Sequence, residues 1–109
     1  MLIDFNSLPE IEISEMNDGN GSVLAKMTIN ENGRFIISRI KPNSSIGLHE
    51  QTSGNDVNYV ISGTGKAIFD GYEEELKAGV CHICPKNHSH SIINTGNDDL
   101  IIFTLVHDY

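Results

Sequence analysis

The run GLHEQTSGNDVNYVISGTG, residues 47–65, opens on polar side chains between glycines and closes as a strand. Its second half, VNYVISG (57–63), is rich in β-branched and aromatic residues and stops at glycine, the composition of a short β-strand. Thr64-Gly65 leads straight into KAIF (66–69), and Asp70-Gly71 then turns the chain toward YEEEL (72–76). Outward from this stretch the same signal repeats. SVLAKMTI (22–29) and RFIISRIK (34–41) flank NENG, where Asn32-Gly33 is a pair suited to the positive φ of a tight hairpin turn. VCHIC (80–84), SHSII (89–93) and LIIFTLV (100–106) follow, the last two joined by NTGNDD. Eight or nine short strands with Gly, Asn or Asp between them predict an all-β sandwich or barrel. Pro42 and Pro85 fall at strand edges, where a missing N–H is tolerated. The one candidate helical turn is DFNSLPE (4–10).

A chain of 109 residues is too short to divide into two cores, so residues 1–109 read as a single domain. No apolar run approaches the roughly 20 residues that span a bilayer. MLIDFNSLPE carries acidic residues and no basic one, which is not the pattern of a signal peptide. The expected compartment is the cytoplasm, where thiols stay reduced and Cys81 and Cys84 do not form a structural disulfide. Seven basic residues against fifteen acidic give a formal net charge of −8. That sign argues against nucleic acid or an anionic membrane as partner, because either needs a basic patch. A small molecule, a metal or another copy of the chain remains.

CHICPKNHSH (81–90) packs two cysteines and three histidines into ten positions. In an extended strand Val80, His82 and Cys84 share one face, and Cys81 and Ile83 the other. Two sulfurs on opposite faces cannot converge on one zinc, which weighs against a zinc knuckle. No helix follows Cys84 to lower a thiol pKa, which weighs against a redox pair. Both cysteines are expected to be small buried hydrophobes.

GLHEQTSGNDVNYVISGTG and GVCHICPKNHSHSIIN (79–94) together resemble the two motifs of the cupin superfamily. The first motif of that family is His-x-His, a glutamate, and a glycine seven residues on. His49 takes the first position, Gln51 stands at the second histidine, Asp56 at the glutamate and Gly63 at the glycine. In the second motif Gly79, Pro85, His90 and Asn94 keep the register, and Asn87 replaces the middle glycine. Asn follows Gly readily into a left-handed turn, so that change is mild. The resemblance covers residues 42–106, the motif-bearing barrel core. Residues 1–20 then form an N-terminal extension and edge strand.

The resemblance implies a double-stranded β-helix, or jelly-roll barrel, holding one divalent transition metal (Fe, Mn, Zn, Ni or Cu). The implied ligand set is His49, Gln51, Asp56 and His90. Residues two apart on a strand point the same way, which places 49 and 51 on one inner face. Two of the four positions depart from the family pattern: Gln51 offers a neutral amide oxygen, and Asp56 a shorter carboxylate, which also reads as a loop cap. Two imidazoles and a carboxylate still form a set suited to Fe(II), Mn or Zn. His82, His88 and Tyr59 are possible further pocket residues, with Tyr59 read first as a core aromatic. Glu73-Glu74-Glu75 reads as a solvated hairpin face, and Asn94-Thr95 as turn residues.

Two functions fit these residues. One is a metal-dependent enzyme acting on a small polar metabolite by dioxygenase, isomerase or lyase chemistry. The other is a non-catalytic or metal-free binding domain using the same cavity, where His49, His90 and Asp56 share protons with a ligand. Strands such as LIIFTLV carry apolar residues on both faces, and open edges invite pairing, so a homodimer is expected.

Overall fold

The computed structural model of the chain describes residues 1–107. Ten strands alternate with tight turns: β1 (Ile11–Ser14), β2 (Ser22–Asn30), β3 (Gly33–Ile40), β4 (Ser45–Glu50), β5 (Asn55–Ser62), β6 (Thr64–Phe69), β7 (Tyr72–Lys77), β8 (Cys81–Cys84), β9 (Ser89–Asn94) and β10 (Leu100–His107). They form a six-stranded antiparallel sheet, in the order β1-β2-β3-β10-β5-β8, and a four-stranded one, β4-β9-β6-β7. The count exceeds the sequence expectation through β4, whose alternation is interrupted at Gly47 and does not read as a strand. Phe5–Ser7 is a single 3-10 turn, capped by the Asp4 side chain, which accepts from Asn6 N–H at 3.0 Å. A second 3-10 turn spans Met16–Asp18.

The core lies between the sheets. Val23, Ile40, Val60, Leu100 and Ile102 from the larger sheet meet Ala67, Leu76 and Ile92 from the smaller, all at most 2% exposed. No helix among the described residues is long and apolar enough to cross a membrane.

Turn chemistry explains the connections. β6 and β7 close on a two-residue turn in which Asp70 and Gly71 both take positive φ, 47° and 87°, as a primed hairpin turn requires. The β2–β3 turn differs from expectation by one position. Asn30 pairs with Gly33, so the loop is Glu31-Asn32, and Gly33 alone takes the positive φ, at 141°. Asn32 N–H instead donates to the Asn30 side chain at 2.7 Å, a local turn bond that holds the loop in ordinary φ.

The N-terminal segment is tied across the outer face of the larger sheet. Phe5 meets Phe103 edge to face at 6.3 Å, and Arg39 bridges Glu10 at 2.7 Å and Asp99 at 2.9 Å.

Candidate metal centre

The first inward-facing histidine is placed by a β-bulge. β4 pairs with β9 as Ile46↔Ile92 and His49↔His90, so three steps on β4 match two on β9. The extra residue falls at Gly47-Leu48 and reverses the side-chain phase, so Ile46 and His49 line the same cavity. Glycine is required at the kink: a Cβ at position 47 would run into the carbonyl oxygen of Asn17 in the Met16–Asp18 turn. The Gly47 carbonyl accepts from His49 Nδ1–H at 2.8 Å. A carbonyl can only accept, so this bond leaves the lone pair of His49 on Nε2.

His90 sits opposite on β9, 1% exposed, with its Nε2 3.2 Å from His49 Nε2. The rings lie edge to face at 4.7 Å. Asp56 enters from β5 in the other sheet, 7% exposed, and its Oδ2 is 3.0 Å from His90 Nε2. The donor atoms of His49, Asp56 and His90 all lie within 4.8 Å of one another. Two ligand atoms bound at about 2.1 Å stand about 3.0 Å apart in an octahedral site and about 3.4 Å in a tetrahedral one. The separations of 3.2 and 3.0 Å are edges of such a polyhedron, so these residues fit a first-row divalent ion. Gln51 is buried at 8% and lines the same cavity, its backbone fixed to the 85–88 turn by bonds to His88 and Asn87.

The cavity has a volume of about 370 Å³. Its floor carries the three residues above with Asn58 and Thr104, whose hydroxyl donates to Asn58 Oδ1 at 2.7 Å. Its exposed rim mixes apolar Ile11 and Met27, from β1 and β2, with polar Glu50, Thr52 and Ser53. Arg34 is the one Lys or Arg among the described lining residues.

Behind His90, away from the cavity, lies His82 of β8. It is 3% exposed, its ring is tilted 26° from that of His90 with centroids 5.2 Å apart, and its Nε2 is 2.9 Å from His90 Nδ1. Its Nδ1 is 2.7 Å from Glu74 Oε1 on β7. Burial holds the His82 pKa below the usual imidazole value, with the Glu74 hydrogen bond pulling the other way.

Three expected pocket residues do not line the cavity. Tyr59 is 47% exposed on the outer face of β5, neither core nor pocket. The inner positions of that strand are Asp56, Asn58 and Val60, so polar residues face inward and the apolar-looking phase of Val57, Tyr59 and Ile61 faces out. His88 is half exposed outside the cavity, bonded to Asp70 at 2.6 Å and stacked on Phe69. His82 is buried one layer behind. The Glu73-Glu74-Glu75 run is also corrected in part, because Glu74 shares its face with buried Leu76 and reaches inward to His82.

Strand β8 alternates as expected, exposed and buried in turn, and both cysteines are free. Cys84 is fully buried, but Cys81 lies on the outer face and is exposed, contrary to the expectation of two core thiols. Burial, with Asp56 and Asp70 nearby, pushes the Cys84 thiol up to about 11. Cys84 should therefore resist alkylation at pH 8 in the folded protein and react once the chain is unfolded. Mass spectrometry of iodoacetamide-treated samples reads this, and labelling of folded Cys84 would contradict its burial.

The cupin domain family model matches residues 36–106. The chain belongs to the cupin family. This cupin is 30% identical to the oxalate-binding protein of Thermotoga maritima, over 97% of this chain and 93% of that protein. Its fold superposes, with a TM-score of 0.92 and 28% identity over the whole of both chains, on a crystal structure described as a predicted oxalate decarboxylase from Thermotoga maritima. It also matches KdgF from Halomonas sp. (TM-score 0.80, 12% identity, 100% of this chain and 94% of that one). An RmlC-like cupin from Shewanella frigidimarina matches at a TM-score of 0.80 and 15% identity, over 98% of this chain and 89% of that one. These last two likenesses show the double-stranded β-helix fold alone. The motif positions of this cupin have physical reasons. Asn87 takes φ 72°, the left-handed turn expected of a glycine substitute, and Gly63 takes φ 92° where a Cβ would stand 2.5 Å from the Asp99 carbonyl oxygen.

Proposed function

We propose that this cupin holds one divalent transition metal on His49, Asp56 and His90, with Gln51 beside it, and binds a small carboxylate there. The observation that carries the reading is the convergence of two imidazole nitrogens and a carboxylate, with His90 Nε2 at coordination-shell separations from both of the others. When bound, the ion would supply a Lewis acid for a ligand oxygen. The chain itself supplies orientation, a water-poor floor and a second charge.

That second charge is Arg34. Its Nε is the one buried side-chain nitrogen or oxygen without a hydrogen-bond partner among the described residues. Arg34 and Asp56 flank Val106 of β10 from either side, two strand spacings or about 10 Å apart at Cα. A guanidinium with an unpartnered Nε in such a cavity favours an anion, because a carboxylate satisfies the buried donor. The name of the Thermotoga maritima relative makes oxalate the first ligand to try. Calorimetry on Mn(II)-loaded protein should detect oxalate binding. Arg34→Gln should weaken it about 10- to 100-fold while leaving the metal content unchanged, since a hydrogen bond to a charged group is worth about 1.5–3 kcal/mol. No oxalate binding by the loaded parent protein would overturn the ligand class.

A second reading is favoured by the same 3.2 Å nitrogen separation, which also suits one shared proton. In that case the cavity binds its ligand without metal, and EDTA leaves oxalate binding intact. Release of formate and CO2 would make the protein a lyase; binding without turnover would leave it a binding protein. Both belong in a reducing compartment such as the cytoplasm, given two free thiols. The outer face of β5 and β8, with exposed Tyr59, Ile61 and Ile83, supports the homodimer. Light scattering should then give twice the 12.0 kDa chain mass, and a monomer mass would retire that proposal.

A further inference from the structure

We infer that Glu74 is a positioning residue for the metal centre: acting through His82, it fixes the tautomer and ring orientation of His90. The inference rests on the reading of His90 as a ligand and extends it to two residues outside the motif positions.

The chain of contacts runs from the surface inward, Glu74 Oε1 to His82 Nδ1 at 2.7 Å, His82 Nε2 to His90 Nδ1 at 2.9 Å, and His90 Nε2 to the cavity. The Glu74 carboxylate is an acceptor only, so the proton between it and His82 sits on Nδ1. A neutral imidazole carries one ring proton, which leaves His82 Nε2 as a bare acceptor. With a cation in place of the proton that Asp56 and His49 Nε2 otherwise draw to His90 Nε2, His90 donates from Nδ1 and its lone pair on Nε2 faces His49 and Asp56. The order fails without Glu74. His82 would be free to carry its proton on Nε2 and donate to His90, and His90 would then hold its own proton on the nitrogen that meets the metal.

Burial makes this order consequential. The His82 and His90 side chains are each 1% exposed, so neither ring can exchange its partner for water, whereas Glu74 is 48% exposed. Phe69 packs edge to face against His82, with ring centroids 6.1 Å apart. A carboxylate–imidazole–imidazole series is the two-step form of the outer partner that ligating histidines use to fix their donor atom.

The test compares Glu74→Gln with Glu73→Gln. The two remove the same charge from adjacent positions, but Glu73 points to the opposite face, toward Lys66. Mn(II) affinity should fall about 10- to 100-fold in Glu74→Gln and hold in Glu73→Gln. His82→Phe should fall comparably, and the Glu74→Gln/His82→Phe double variant should be no worse than His82→Phe alone, as expected of one chain. The readout that a merely structural role would not move is the histidine tautomer. In 15N-labelled, Zn(II)-loaded protein, long-range 15N–1H correlation should find His82 protonated at Nδ1 and bare at Nε2, with Glu74→Gln, whose amide can accept or donate, leaving both His82 tautomers populated. A His82 proton on Nε2 in the Zn(II)-loaded parent protein, or equal Mn(II) affinity in Glu74→Gln and Glu73→Gln, would overturn the inference. If the parent protein binds no metal, the metal-centre reading fails; a parent that binds metal with equal affinity in both variants would leave that reading standing and overturn this one.

Discussion

His90→Ala protein equilibrated with Mn(II) and desalted should retain close to no metal, where the parent chain retains about one ion. His90 is the residue that touches both other donors, at 3.2 Å to His49 and 3.0 Å to Asp56, so its removal leaves two ligands that no longer share a vertex. A bound ion also stabilises the fold by mass action, about 2.7 kcal/mol at a metal concentration a hundredfold above Kd. In a domain of this size that raises Tm by roughly 10–20 °C. The rise should be present in the parent protein and absent in His90→Ala. Gln51→His should move the other way and tighten binding, because imidazole is a better donor than an amide oxygen. Full metal retention by His90→Ala would remove the proposed centre.

Leu100→Ala should be the most damaging core substitution, at about 2–5 kcal/mol, with Tm lower by roughly 10–25 °C. Leu100 is fully buried at the start of β10 and fills the space that the glycines of SGTG leave open. A Cβ on Gly65 would stand 2.7 Å from Leu100 Cδ2, and one on Gly63 2.9 Å from its Cα. The Gly65 backbone packs directly against this side chain and fixes one wall of the gap that alanine would leave. Differential scanning calorimetry of the metal-free proteins checks this, and a loss under 1 kcal/mol would mean that the site relaxes.

The fold was legible because turns and alternation agree in this chain. Asp70-Gly71 takes the φ values its type demands, and β8 alternates as its sequence does. β4 was illegible in the strand pattern, since a bulge at Gly47-Leu48 shifts its phase. The motif spacing around His49 and His90, read as a resemblance, reached what local pattern could not. Their meeting across forty-one positions is long-range pairing between β4 and β9, which periodicity does not encode.

Tyr59 misled for a physical reason. A strand that lines a cavity inverts the usual rule, so Asp56 and Asn58 face in and the apolar residues face out. Glu74 was hidden within an acidic run that looked uniform. Its only sequence signal was Leu76 two positions on, an apolar residue marking the inner face of β7. Arg34 offered none, since nothing in RFIISRIK distinguishes which of its two arginines turns inward; Arg39 is paired outside with Glu10 and Asp99.

The most direct test is anomalous diffraction from a crystal equilibrated with Mn(II). A single anomalous peak bounded by His49 Nε2, His90 Nε2 and the Asp56 carboxylate is the predicted result. A peak bound elsewhere on the chain, or none with the two imidazoles still hydrogen-bonded to each other, would contradict the account.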